Sequence, residues 1–142
     1  GSDGLARVKR PKPTPGDGVR FLHSIGATAT LAHPQTVKGL GRILGFLVDE
    51  GLDGIEVFAP KYGTSDRERR LEAAKRSGLI AVGGSDYHAW GTSEEIVPGD
   101  PKTVGPPADA VDRLRGAADR WKAAVSSAPE APGEGHPAPS CG

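Results

Sequence analysis

Three short apolar runs, each preceded by a stretch with helical spacing, constrain the fold of this chain more than any other feature. They are residues 27–32, Gly54-Ile55-Glu56-Val57-Phe58 and Leu79-Ile80-Ala81-Val82. Runs of this length, flanked by turn residues and helices, read as buried strands. Strands that alternate with helices across short connections return in the same direction. The pattern therefore predicts an α/β fold with about three parallel strands. Parallel strands present their functional loops at their C-terminal ends, so that is where chemistry should be sought.

The helices can be placed from their ends. Thr14 reads as an N-cap followed by Pro15 at the first helical position, with Asp17 suited to the positive end of the helix dipole. Val19 and Leu22 should face inward, with Phe21 and Ile25 beside them, and Gly26 should stop the helix. A second helix is expected over 37–50, carrying Leu40, Ile43, Leu44, Leu47 and Val48. Gly39, Gly41 and Gly45 would weaken it by up to about 1 kcal/mol each relative to alanine. Thr64 or Ser65 should cap a third helix through Ser77, closed by Gly78, and a last helix should span 108–125 with Val111, Leu114, Ala118 and Trp121 on one face. Residues 1–13 are basic and proline-punctuated, hence linker-like, and residues 14–125 form the expected domain. From 126 to 142, Ala, Pro, Gly, Ser and Glu dominate, and the composition predicts a disordered tail.

Bulk properties exclude more than they suggest. The 18 Lys and Arg balance 18 Asp and Glu, so no global charge recommends a nucleic-acid or membrane surface. The single cysteine, Cys141, rules out an internal disulfide. No apolar run approaches the ~20 residues that span a bilayer, and the expectation is a soluble cytoplasmic protein.

Chemistry gathers at two strand ends. Gly83-Gly84-Ser85-Asp86-Tyr87-His88 places a carboxylate and an imidazole two positions apart, straight after the third apolar run. In an extended strand end, residues i and i+2 point to one side, so Asp86 and His88 could address one divalent cation. Alone, Asp-x-His is more often a turn in which the aspartate makes a local hydrogen bond. Thr30-Leu31-Ala32-His33-Pro34 changes that balance, because a second apolar run also ends in a histidine. Glu56 alternates with apolar neighbours on the middle strand and could be a ligand, a partner that orients a histidine, or a solvent-facing residue. Tyr62, Lys61 and Tyr87 lie near the expected strand mouth and could contact substrate. His23, inside the first helix, reads as a core or surface histidine, and His136 falls in the tail.

Taken in order, Arg10-Pro11-Lys12-Pro13-Thr14-Pro15, Leu31-Ala32-His33-Pro34, Gly51-Leu52-Asp53-Gly54-Ile55-Glu56-Val57 and Gly83-Gly84-Ser85-Asp86-Tyr87-His88 resemble the C-terminal half of a PHP (polymerase and histidinol phosphatase) domain. The similarity runs from about Arg7 to Ala118 and is to the stand-alone phosphoesterase branch. It implies a partial (β/α) barrel and a metal site at the strand ends. His33, Asp86 and His88 resemble metal ligands of the family, and Glu56 matches a strand residue of the branch. The implied cofactors are divalent ions (manganese, zinc or iron), and the implied substrate is a phosphate-ester small molecule or a short oligonucleotide. The His-x-His motif that opens the family's domain is absent here, and Ala59 and Tyr62 stand where relatives often carry a histidine. The expectation is therefore a fragment whose missing N-terminal half belongs to the same protein. The alternative is a non-catalytic remnant serving as a structural or interaction module, and a small metal-binding protein using these three side chains is a third reading.

Overall fold

The computed structural model describes residues 12–88, 100 and 103–128. Helix α1 (Pro15–Ser24) begins as expected, with Thr14 as N-cap. Asp17 does more than face the helix dipole. The Thr14 hydroxyl accepts from Asp17 N, and the Asp17 carboxylate accepts from Thr14 N at 2.8 Å, a reciprocal capping box. Gly26 closes the helix at φ +71°, with Gly26 N donating to His23 O and Ala27 N to Leu22 O.

Strand β1 is only Thr30–Leu31, shorter than the apolar run. A 3₁₀ turn at Pro34–Thr36 follows, and α2 (Leu40–Asp49) starts three residues later than the spacing predicts, behind Gly39 at φ +68°. Strand β2 is Gly54–Phe58 and is buried throughout. Helix α3 (Thr64–Arg76) has Gly63 as its N-cap residue, not Thr64 or Ser65. Strand β3 is Ile80–Gly83, and α4 (Ala110–Ser127) ends two residues past the expected boundary. Ser126 and Ser127 are thus helical, while residues 129–142 of the expected tail, like residues 1–11 of the expected linker, lie outside the described residues.

All three strands are parallel, in the order β1-β2-β3. Thr30 pairs with Gly54 and Leu31 with Ile55; Ile55 pairs with Ala81 and Glu56 with Val82. The register slips between Glu56 and Phe58, so that Phe58 meets Gly83. Gly83 is required there: a Cβ on it would lie 2.4 Å from the Phe58 carbonyl oxygen. This slip brings the end of β3 hard against the end of β2, where the candidate donors stand.

Alternation on the sheet divides the core. Ile55, Val57, Leu79 and Ala81 join Val19, Leu44, Leu47 and Ala74 in the main cluster. Ile80 and Val82, pointing the other way from β3, pack with Ala110, Leu114 and Ala117 of α4. Helices on both sides bury both faces of the sheet, as parallel strands require. Two expectations fail here. Phe21 and Ile25 are exposed, because Val19 and Leu22 already fill the stripe of α1 against the core. On α4 the inward stripe is Ala110, Leu114 and Ala117, and Val111 faces out.

Candidate functional site

His33 ends the first strand segment in the left-handed region, at φ 48°, ψ 49°. A residue before proline is normally driven to extended backbone, and left-handed backbone is uncommon outside glycine even though aspartate and histidine adopt it more than most. Asp86 is also left-handed, at φ 58°, and these two are the non-glycine residues with positive φ among those described. Strain at both strand-end candidates is the pattern expected where surrounding contacts over-determine a working geometry. It also corrects the reading of Asp86 and His88 as alternate residues of an extended end. β3 stops at Gly83, and Asp86 leaves extended backbone at φ 58°.

Glu56 supplies much of the constraint on His33. Its carboxylate is buried on β2, and Oε2 accepts from the backbone N of His33 at 2.6 Å and from the Tyr62 hydroxyl at 3.1 Å. The Tyr62 hydroxyl also contacts the Gln35 carboxamide. A phenol has one proton, and the charged acceptor is the stronger claimant. Burial first, and then the Glu56 carboxylate, push the Tyr62 phenol up to about 12, so it remains a donor at any physiological pH. Behind it, the Arg70 guanidinium lies 3.9 Å from the centre of the Tyr62 ring. Glu56 and Tyr62 thus form a prop behind His33, a role the sequence left open among three.

In front of that prop, Asp86 lies near His33 on one side and His88 on the other. His33 Nδ1 lies 3.7 Å from Glu56 Oε2, and His33 Nε2 lies 3.5 Å from Asp86 Oδ1. His88 Nδ1 is 4.0 Å from Asp86 Oδ1 and 2.6 Å from the Asp86 backbone carbonyl. A carbonyl can only accept, so Nδ1 is the donor in that contact. Asp86 Oδ2 is ion-paired with Lys61. That ammonium, chiefly by its hydrogen bond, holds the Asp86 carboxyl below the ordinary carboxylate range and keeps it ionised.

Two imidazole nitrogens and an ionised carboxylate are the ligand types of zinc, manganese and iron sites, so the set fits a divalent cation in kind. It is open in geometry. Among the described residues, no three His, Cys, Asp or Glu side chains are drawn together closely enough to hold an ion. A cation here would be held at one side by this chain and completed by other ligands.

A second cluster went unread in the sequence. Asp53, just ahead of β2, accepts from Ala29 N at 2.8 Å and His23 Nε2 at 3.0 Å through Oδ2, and from Trp121 Nε1 at 3.0 Å through Oδ1. The His23 and Trp121 rings stack at 3.5 Å. His23 is therefore a core histidine, and the cluster ties α1 and α4 together at the opposite end of the sheet. The sequence signal was an acidic residue directly before a fully buried strand, a place where a carboxylate needs partners.

Known proteins resemble the chain over part of their length. No family model matches it. It is 43% identical over 72 residues to the phosphoribosyl 1,2-cyclic phosphate 1,2-diphosphodiesterase of Eggerthella lenta, a stretch that is 51% of this chain and 27% of that enzyme. A crystal structure of a protein from Bifidobacterium adolescentis, described as a metal-dependent phosphoesterase, superposes with a TM-score of 0.61 at 23% identity. That match covers 82% of this chain and 41% of the other. A sulfate-bound amidohydrolase structure from Chromobacterium violaceum gives 0.55 at 27% identity, covering 75% and 39%. The fold is the α/β fold of these phosphoesterase and amidohydrolase structures. The resemblance to the PHP family is borne out by the diesterase match in particular, and the chain spans less than half the length of each relative. Among the described residues no helix is long and apolar enough to cross a membrane.

Proposed function

We propose that this chain is the C-terminal portion of a metal-dependent phosphoesterase that hydrolyses phosphate mono- or diesters, nucleotides or short oligonucleotides among them. The observation that carries the reading is the placement of His33, Asp86 and His88 at the C-terminal ends of parallel strands, with His33 Nε2 3.5 Å from Asp86 Oδ1 and Glu56 and Tyr62 behind His33. Similarity to a diesterase over this same kind of partial length supports it.

In this reading the imidazoles of His33 and His88 and the carboxylate of Asp86 would hold divalent metal, manganese, zinc or iron. When bound, the metal polarises the phosphate and lowers the pKa of the attacking water. The chain's own residues set the stage. Asp86 stays ionised beside Lys61. Glu56 holds the His33 backbone, and Tyr62 holds Glu56. Hydrolysis joins a water oxygen to phosphorus and breaks the bond to the ester oxygen, which leaves as the alcohol with a proton taken from the water.

The test uses the longest natural polypeptide that carries this chain. It should hydrolyse 4-nitrophenyl phosphate or bis(4-nitrophenyl) phosphate with Mn²⁺, and Asp86→Ala with His88→Ala should abolish turnover. Unchanged turnover in that variant would refute the assignment. A polypeptide that binds Mn²⁺ at these residues and turns over neither ester would favour the non-catalytic remnant instead.

A further inference from the structure

Asp86 divides its carboxylate between two kinds of partner. Oδ1 faces the imidazoles, 3.5 Å from His33 Nε2 and 4.0 Å from His88 Nδ1, while Oδ2 carries the Lys61 ammonium. That ion pair crosses from the loop after β2 to the loop after β3. The neighbours of Lys61 hold it there. Residues 59–62 form a turn closed by Tyr62 N donating to Ala59 O at 3.0 Å, and Pro60 stiffens it. Tyr62, the next residue, is buried and anchored on Glu56. The Lys61 backbone is thus fixed within reach of Asp86, and the freedom lies in its flexible stem.

The two ends of the pair are unequal. The Asp86 side chain is 17% exposed and the Lys61 side chain 60%. The carboxylate is confined among its partners, whereas the ammonium stands mostly in water and gives up little by leaving. A pair so exposed is weak. It is nonetheless a cation already seated on the carboxylate that a metal would use. A divalent ion shared by Asp86 and the imidazoles would stand next to that ammonium, and two cations on one carboxylate repel. The divalent ion carries twice the charge and takes lone pairs from carboxylate and imidazole together, so it prevails.

We propose that Lys61 is a built-in counter-ion of the metal site: it holds Asp86 until a divalent cation loads, and then gives the carboxylate up to it. The proposal rests on the metal-dependent function proposed above. Lys61 is a positioning residue in this scheme. Glu56 and Asp86 flank the His33 ring, 3.7 Å and 3.5 Å from its two nitrogens, and the ammonium offsets one of their two negative charges. The same contact lowers metal affinity, because loading must first break it.

Zn²⁺ titration of the 142-residue protein tests this, followed by NMR of the His33 and His88 imidazoles and of the Lys61 ε-methylene. Zn²⁺ is diamagnetic, so the Lys61 signals stay visible. They should move in step with those of His33 and His88, to the position they take without Zn²⁺ in Asp86→Asn, where the ion pair is gone. Lys61→Met should bind Zn²⁺ about five-fold more tightly, and Lys61→Arg, which keeps the pair, no more tightly than the natural sequence. The Lys61 side chain is mostly exposed, so neither change disturbs the core, and amide dispersion checks the fold. Lys61 signals that keep their ion-paired position in the Zn²⁺-loaded protein would overturn the proposal, even beside a raised affinity in Lys61→Met. The charge would then act through its field alone. Equal Zn²⁺ affinity in all three proteins rejects the counter-ion and keeps the metal site. No response at His33 and His88 in any of them rejects the metal site, and the counter-ion with it.

Discussion

Replacing Tyr62 with phenylalanine removes one oxygen from behind the candidate site and leaves the ring in place. Tyr62 is 6% exposed and Glu56 is 7% exposed, so water does not readily replace the lost hydroxyl. Glu56 Oε2 would keep the His33 N–H at 2.6 Å and lose the donor at 3.1 Å. Gln35, the other partner, is exposed and recovers its bond from solvent. The Arg70 stack on the ring also survives. The net loss is one hydrogen bond to a buried charge, about 1.5–3 kcal/mol. With a urea slope of about 1–2 kcal/mol per molar, the unfolding midpoint should fall by roughly 0.8–3 M with the slope unchanged. Because the same bond fixes the carboxylate that holds His33, Mn²⁺ affinity read by NMR broadening should fall about ten-fold or more. A midpoint shift under about 0.3 M would mean that the bond contributes nothing to the folded state. A shifted midpoint with unchanged Mn²⁺ affinity would refute the prop.

Two further outcomes follow from geometry. Asp53→Asn should destabilise by about 2–3 kcal/mol in urea unfolding, because whichever way the amide turns its NH₂ meets a donor, Trp121 Nε1 on one side or Ala29 N and His23 on the other. Asp17 has its carboxyl lowered from 3.8 to about 2, first by the bond from the Thr14 side chain. A depressed folded-state value means that the cap stabilises α1 above pH 3.8 and is lost as pH falls toward 2. Circular dichroism against pH should show acid loss of helix in that window, and Asp17→Asn should remove the step; an unchanged acid profile in the variant would contradict the cap.

Strand number and direction were legible because burial leaves a mark on composition: β2 matches its run residue for residue, and β3 is displaced by one. Helix starts were legible where a side chain does the capping, as at Thr14, and were missed where glycine backbone does it, as at Gly39 and Gly63. The candidate donors were legible as residue types at strand ends. Their geometry was not, since left-handed backbone at His33 and Asp86 is imposed by tertiary partners and leaves no local signal. Glu56 shows the difference clearly. Its alternation told that it faced one side of the sheet, and only the fold told that it grips the His33 backbone. Asp53, His23 and Trp121 lie far apart in the chain, so no spacing could join them.

In the proposed enzyme His33, Asp86 and His88 form one side of a metal site. Paramagnetic broadening by Mn²⁺ in backbone and imidazole NMR spectra of the 142-residue protein tests it most directly. Signals of His33, Asp86 and His88 should broaden together, ahead of the other acidic residues, and Asp86→Ala should abolish the effect at all three. Broadening spread evenly over surface carboxylates, or left unchanged by Asp86→Ala, would contradict it.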